Sequence, residues 1–156
     1  MSINNNKQSK TKGDFEEMIL DIRRVTRVVA GGKRLSFRAT VVIGDNVNHL
    51  VGIGVGKGRD VPLAIQKAVH NAKKNLVSVP IENATIPFPV EAKYKAAKVI
   101  VKPAKKGKGI IAGGAVRAIL KLAGIPNVSA KILGRTGNAI SNARATITAL
   151  QQLNLK

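Results

Sequence analysis

Three short runs rich in apolar residues occupy the first half of the chain, and turn-forming residues end each of them. Val25 and Val29 lie on one face of the first run, which ends at Gly31 and Gly32, where glycine accepts a positive φ without penalty. Alternation and β-branched residues predict antiparallel strands. The segment 14–21 is expected to form a helical turn or an irregular lead-in. The predicted strands cover residues 22–30, 36–44 and 49–56.

The third predicted strand has glycine at every second position. Gly52, Gly54 and Gly56 share one face, and a face of glycine alone lets a helix or a ligand approach the backbone closely. A helix is predicted next, because Asp60 suits the N-cap and Pro62 suits the first helical turn. The apolar stripe of that helix comprises Val61, Ile65, Ala68, Val69, Ala72 and Leu76.

The second half of the chain predicts two strands, a helix, a further strand and a closing helix. Pro87 and Pro89 confine the first extended segment, residues 84–90, to a sheet edge, because proline cannot donate to the ladder. Gly124 and Pro126 end the first of the two helices. The other elements are strands at 97–102 and 128–132, a helix at 113–123, and a last helix that buries Ile140, Ala143, Ile147 and Leu150.

These elements predict an α+β chain of two domains. The first, residues 14–79, has a three-stranded antiparallel sheet with one helix, and the second, residues 82–156, has the order ββαβα. Residues 1–13 are rich in Asn and Lys and lack the apolar centre of a signal peptide, so a disordered tail is predicted there.

Charge is the feature of composition that most restricts function. The chain has 27 Lys and Arg against 8 Asp and Glu, a formal net charge of +19, and no acidic residue follows Glu91. Such a surface repels itself and weakens the compact state unless a polyanion neutralises it. A membrane could do so, but the apolar residues are spaced for a folded core. Nucleic acid is therefore the favoured partner, and the tail has a second interpretation as a basic arm that becomes ordered on RNA.

Several other classes are disfavoured by composition. The chain has one Tyr, three Phe and no Trp, so base stacking on aromatic platforms is not the expected mode of binding. The scarcity of carboxylates argues against an enzyme and against hard-metal binding, and neither His49 nor His70 has a partner at metal-ligand spacing. No cofactor, metal or small-molecule substrate is expected. The absence of cysteine fits a reducing cytosol, and no uncharged run is long enough for a membrane span.

Three basic stretches are candidate RNA contacts. The first surrounds the predicted hairpin turn, with no acidic residue between Asp21 and Asp45, and suits contact with phosphates; the alternative is a solvated hairpin face. This first stretch consists of Arg23, Arg24, Arg27, Lys33, Arg34 and Arg38.

The other two stretches are glycine-rich and each leads into a helix. Lys57 and Arg59 alternate with glycines before the first helix, where backbone N–H groups attract phosphate; the alternative is that these glycines serve packing. Lys105 and Lys106 lie in a similar loop before the second helix. That loop could also belong to a small-molecule kinase, but the carboxylates that such chemistry needs are missing.

These residues resemble the family of bacterial small-subunit ribosomal protein five, over residues 15–153. In the first domain the motifs are residues 24–29 (RVTRVV) with Gly31-Gly32, 35–39 (LSFRA), 51–54 (VGIG) with Gly56-Lys57, and Val61-Pro62. In the second they are residues 102–104 (KPA), Gly107, 109–114 (GIIAGG), Arg117 and 144–146 (RAT).

The resemblance implies a first domain similar to a double-stranded-RNA-binding domain and a second with a left-handed βαβ fold. It implies a structural constituent of the small (30S) ribosomal subunit in the cytoplasm, bound to 16S-type ribosomal RNA beside ribosomal proteins four and eight, near the mRNA entry path. It implies roles in subunit assembly and translational accuracy. Alternatives are a free-standing binder of double-stranded RNA and a metabolite kinase.

The predicted site residues form three groups. RNA binding is expected at Arg23, Arg24, Arg27, Lys33, Arg34, Arg38, Lys57, Arg59, Lys105 and Lys106. By resemblance, a neighbouring protein is expected at Gly107, Gly113, Gly114 and Arg117. Also by resemblance, the loop that borders the spectinomycin site comprises Val25, Thr26, Arg27, Gly31, Gly32 and Lys33.

Overall fold

The computed structural model describes residues 15–155, so the predicted tail at 1–13 lies outside the described residues. It forms two four-stranded sheets and three α-helices, and the predicted two-domain α+β architecture is confirmed. The strands are β1 Glu16–Val29, β2 Gly32–Asp45, β3 Leu50–Gly58, β4 Leu76–Ser78, β5 Val90–Tyr94, β6 Ala97–Pro103, β7 Ile110–Ile111 and β8 Val128–Ile132. The helices are α1 Val61–Lys73, α2 Gly114–Leu122 and α3 Ala139–Gln152, followed by a short 3-10 turn at Leu153–Leu155.

The first sheet is antiparallel throughout, in the order β1-β2-β3-β4. The predicted lead-in at 14–21 is wrong, because β1 begins at Glu16 and pairs with β2 along its whole length. A register shift between Ile19 and Asp21 explains the error: a bulge breaks the alternation by which a strand is recognised. The short strand β4 is a fourth strand that the pattern did not predict, and it pairs only with the start of β3.

The two turns of this sheet are tight. Ala30 and Gly31 connect β1 to β2, and Gly31 has a φ of 82°, which glycine adopts without strain. Between β2 and β3, Asp45 accepts hydrogen bonds from the backbone N–H of Val47 and from the side chain of Asn48. These two bonds lower the pKa of the Asp45 carboxyl below its ordinary value.

Helix α1 lies on the glycine face of β3, so the close approach predicted there is that of a packed helix. The helix presents Ala64, Ala68 and Ala72, all fully buried, to that face. The predicted stripe omitted Ala64 and included Ile65 and Val69, which lie half-buried at the flank, because a groove of glycines admits only small side chains. Asp60 occupies the N-cap position, but its side chain makes no capping hydrogen bond.

The second sheet has the order β5-β6-β8-β7, with β7 parallel to β8 and α2 as the crossover between them. The predicted edge segment at 84–90 is wrong, since Asn83 and Ala84 form a tight turn with positive φ and the edge strand β5 starts at Val90. The two-residue strand β7 is too short to show a pattern.

The two sheets share one hydrophobic core. Helix α3 packs on β5 and β6, α2 packs against α3, and both helices also contact the face of the first sheet opposite α1, which gives the layers α1, first sheet, α2 with α3, and second sheet. One cluster joins Val42 and Val51 of the first sheet to Leu120 and Leu150 of the helices. Within the described part of the chain, no helix has the length and apolar content that crossing a bilayer requires.

Candidate nucleic-acid interface

The paired strands β1 and β2 extend beyond the part of the sheet that the helices cover, and one face of this extension is lined by arginine. Arg23 lies directly opposite Arg38, and Arg27 lies directly opposite Arg34. Because directly paired residues point to the same side of a sheet, and the two pairs are four positions apart, all four guanidinium groups project from one face. Lys57 of β3 pairs with Arg38 and extends that face across a third strand.

We call this surface the arginine face, and it consists of Arg23, Arg27, Arg34, Arg38 and Lys57. It is the continuation of the sheet face that α2 and α3 cover, since Val42 lies on the same side of β2 as Arg38 and belongs to the shared core. Like charges directly opposite each other destabilise a strand pair. The arrangement is therefore costly in the free protein and is favoured by an anion that lies across both strands.

One acidic residue lies within the arginine face. Asp21 accepts an ion pair from Arg23 at 2.8 Å and lies 3.9 Å from Arg38, and its own side chain is 22% exposed. Arg27, Arg34 and Lys57 have no carboxylate partner among the described residues. The face thus keeps a strong excess of positive charge toward its tip.

The remaining two cations of the hairpin lie on the opposite face. Arg24 pairs with Phe37 and Lys33 pairs with Val28, so these cations alternate with apolar side chains. Val28 is 75% exposed and Leu35 on the same face is 55% exposed. The structure therefore divides the predicted hairpin cluster between two faces: Arg23, Arg27, Arg34 and Arg38 lie on the arginine face, and Arg24 and Lys33 lie on the opposite, mixed face.

The glycines around Lys57 and Arg59 are explained by packing. A Cβ at Gly58 would lie 2.7 Å from the backbone N of Ala64, and one at Gly56 would clash with the Ala64 carbonyl oxygen. The backbone of α1 thus fills the space beside these glycines, which agrees with the alternative that they serve packing. Lys57 and Arg59 themselves are exposed, and only their charges carry the prediction of a phosphate contact at this loop.

The second basic loop lies in the other half of the molecule, between β6 and β7. Lys105 and Lys106 are exposed. Gly107 and Gly109 have φ of 85° and 70° with no atom near a hypothetical Cβ, so glycine is required there by backbone conformation and not by crowding.

Two polar residues that sequence reasoning missed hold the base of this loop. Asn127, only 7% exposed, accepts a hydrogen bond from the Gly109 N–H and donates one to the Ala84 carbonyl oxygen. The Thr85 hydroxyl oxygen accepts from the Ala104 N–H. The signal in the sequence is weak, because an Asn beside a proline is also typical of an ordinary turn.

Helix α2 starts at the end of this region. Gly113 is its N-cap residue, no side chain caps its first turn, and no acidic residue lies in that turn. Gly113, Gly114 and Arg117 are exposed and form a surface that adjoins β7. The arginine face and the second loop are thus separate basic surfaces on different sheets. Among the described residues there is no group of three or more side chains suited to hold a metal ion.

Comparison with known proteins matches both halves of the chain to defined families. Residues 15–80 match the family described as ribosomal protein S5, N-terminal domain, and residues 92–155 match ribosomal protein S5, C-terminal domain.

Individual relatives are similar over most of the chain. The small ribosomal subunit protein uS5 of Thermotoga neapolitana is 51% identical over 140 residues, which cover 90% of this chain and 78% of the relative. The small ribosomal subunit protein uS5c of Guillardia theta is 50% identical over 155 residues, 97% of this chain and 90% of the relative. The uS5c protein of Spinacia oleracea is 49% identical over 148 residues, 94% of this chain but 47% of the longer relative.

Proposed function

This chain belongs to the ribosomal protein S5 family, and from that premise we propose that it is a structural constituent of the small ribosomal subunit that binds ribosomal RNA. It is not an enzyme: its family is one of structural proteins of the ribosome. Its place in the cell is the cytoplasmic ribosome.

The arginine face is the observation that carries the proposal of RNA binding. Five cations project from one side of three neighbouring strands, and a single carboxylate, Asp21, neutralises part of them. A rigid strand pair holds the guanidinium groups at fixed spacing, and guanidinium binds phosphate oxygens in a bidentate manner. Because side chains cannot read the deep A-form major groove, contacts to phosphate and sugar are expected to dominate.

The other site residues have more specific proposed roles. Arg24 and Lys33 on the mixed face, with Arg59, add contacts to RNA, and so do Lys105 and Lys106. The hairpin tip, residues 25–33, borders the spectinomycin site. Gly107, Gly113, Gly114 and Arg117 contact a neighbouring ribosomal protein, and the exposed, uncapped start of α2 supports a surface available for such a contact. The neighbours are ribosomal proteins four and eight, and the chain lies near the mRNA entry path. The protein supports subunit assembly, and the protein contact of the second loop affects translational accuracy.

The test is the salt dependence of binding between the full chain and small-subunit ribosomal RNA. With about eight phosphates neutralised, log affinity should fall with log salt at a slope of roughly −6 to −7. The double variant R27Q/R34Q should reduce the magnitude of that slope by about 1.5, since each lost phosphate contact removes roughly 0.7–0.9. K67Q/K74Q removes the same charge from exposed positions on and just after α1 and is the matched control, with the slope unchanged.

Equal slopes for the two double variants would reject the arginine face as the carrier of RNA binding. Equal affinity for unrelated duplex RNA, with no co-sedimentation with small subunits in high salt, would favour the free-standing RNA binder instead. Nucleotide-dependent turnover by the purified chain would revive the kinase alternative.

A further inference from the structure

A third group of cations, separate from the arginine face and from the second basic loop, lies where β5 turns into β6. Tyr94 ends β5, and its hydroxyl oxygen accepts a hydrogen bond of 2.6 Å from Nη1 of Arg144 on α3. The Arg144 guanidinium carbon is 5.4 Å from the centre of the Tyr94 ring, and Nζ of Lys95 is 5.9 Å from it. Both distances are within the range of cation–π attraction, so the only tyrosine of the chain holds two cations in place.

Arg135, in the loop before α3, lies at the same end of the molecule. The backbone N–H groups of Leu133 and Gly134 both donate to the Lys98 carbonyl oxygen, at 2.8 and 3.2 Å. Gly134 also lies so close to the turn that a Cβ there would be 2.7 Å from the Ala96 carbonyl oxygen. The next residue, Arg135, is exposed, and its place in the chain directly after Gly134 puts its backbone beside the β5–β6 turn.

The turn itself has a residue in an unfavourable conformation. Tyr94 pairs with Ala97, so Lys95 and Ala96 form a two-residue connection, and Lys95 has a φ of 54°. Glycine or asparagine is the usual residue at such a position. A strained residue that persists in a fold is a pointer to function, and here the strained residue places a cation at the tip of the turn.

The charge around this turn is not balanced within the described residues. Glu91 is the nearest acidic residue along the chain, and it is already engaged by Lys98 at 2.6 Å. No acidic residue occurs after it in the sequence. Lys95, Arg135 and Arg144 have no carboxylate partner in the described part of the chain, so an anion from outside is the group that fits.

We propose that Lys95, Arg135 and Arg144 form a binding site for a phosphodiester segment of RNA, and that Tyr94 is a positioning residue that orients the Arg144 guanidinium. The inference rests on the proposed function and adds a contact surface to it. With Nη1 engaged by the Tyr94 hydroxyl, the Arg144 guanidinium keeps further N–H groups, and the fork geometry of a guanidinium matches two phosphate oxygens. RNA fits better than an acidic protein segment, because three uncompensated cations match a continuous row of phosphates.

The experiment measures the affinity of the full chain for small-subunit ribosomal RNA at several salt concentrations. R144Q should lower the affinity at least about five-fold and reduce the magnitude of the salt slope by about 0.7–0.9, the loss of one phosphate contact. K121Q removes an equal charge from an exposed position on α2 and should leave both values near those of the unaltered chain.

Two conservative variants separate positioning and charge from folding. Y94F removes no charge, yet it should lower both affinity and slope, because Arg144 loses the bond that orients it. R144K keeps the charge and should restore the slope but only part of the affinity. Melting temperatures equal to that of the unaltered chain show that these two variants fold, and their binding then carries the test even if R144Q is unstable.

Three results would overturn the inference, and they are distinguishable. If R144Q and K121Q have equal affinity and equal salt slope while the unaltered chain binds strongly, this site is rejected and the proposed function is unaffected. No binding of ribosomal RNA by the unaltered chain removes both. Unchanged RNA affinity of R144Q with weakened retention on small subunits in high salt assigns the site to carboxylates of a neighbouring protein.

Discussion

Single glycines decide how closely the first helix approaches the first sheet. At Gly52, Gly54, Gly56 and Gly58 the backbone of α1 occupies the space that a Cβ would need. The residues of the helix that face these glycines are alanines. Some other glycines, such as Gly32 and Gly107, have open space around them, so composition alone does not show which glycines are essential. The distinction is made by the distance from each glycine to its nearest backbone neighbour.

The first prediction concerns Gly54, whose Cβ would clash with the Ala68 carbonyl oxygen and the Ala72 backbone. We expect G54A to lower the free energy of unfolding by about 3 kcal/mol, because backbone atoms of α1 must move to relieve the overlap. Urea denaturation followed by circular dichroism measures the change.

Gly32 provides the matched control, since nothing lies within 4 Å of its hypothetical Cβ and its φ is not positive. G32A should stay within about 1 kcal/mol of the unaltered chain. Equal stability of G54A and G32A would show that α1 does not approach the sheet as described.

At the scale of elements, the two basic surfaces differ in how they are held. The hairpin of β1 and β2 is held by a ladder of paired residues from Glu16–Gly44 to Val29–Gly32, interrupted by one register shift between Ile19 and Asp21. The loop between β6 and β7 has no ladder, and it depends on the side chains of Asn127 and Thr85 at its base. Loss of one side chain is therefore expected to loosen the loop and to leave the hairpin unchanged.

The second prediction is that N127A exposes the loop to protease. The substitution leaves the Gly109 N–H and the Ala84 carbonyl oxygen without their partner, which should cost about 1–2 kcal/mol. Trypsin should then cleave faster at Lys105, Lys106 and Lys108, and mass spectrometry of the fragments identifies the sites.

Asn75 is a suitable control for this substitution. It is exposed, and its side chain donates a hydrogen bond to the Asn71 carbonyl oxygen in the same segment, so N75A should change stability by less than about 0.5 kcal/mol. Faster cleavage in both variants would mean that the hydrogen bonds of Asn127 are not what protects the loop.

At the scale of the whole molecule, the two sheets are held together by a core that belongs to both. Val42, Val51 and Val77 of the first sheet share one buried cluster with residues of α2 and α3. Two polar contacts cross the same boundary: His49 Nδ1 lies 3.2 Å from the Ala123 carbonyl oxygen, and Asn154 Nδ2 donates to the Ser78 carbonyl oxygen at 2.6 Å. The two halves therefore share a large part of their buried surface.

The third prediction is a single cooperative unfolding transition for the full chain. Because unfolding of one half exposes apolar surface of the other, calorimetry should show one peak with equal calorimetric and van't Hoff enthalpies. Two resolved peaks would mean that the halves are independent and that the shared core contributes little. Binding of RNA should move the peak to higher temperature, since a ligand of the folded state stabilises it.

Local periodicity was sufficient to predict β2, β3, β6, β8 and all three helices. These elements depend on neighbours within a few positions, and alternation of period two or 3.6 reports which face of each is buried. The excess of basic residues likewise indicated a polyanionic partner without any structure. The bulged start of β1 and the very short strands β4 and β7 were not predicted, because they have no repeating pattern to recognise.

The candidate site shows the same division. Its basic residues are visible in the sequence, but their separation into an arginine face and a mixed face depends on the register of β1 against β2. The support from Asn127, the shared core and the contact between Tyr94 and Arg144 depend on residues that are at least 18 positions apart in the sequence. Composition and local spacing establish the charge and the elements of this protein, whereas contacts between distant segments establish which charges act together, because only the folded chain brings those segments within hydrogen-bonding distance.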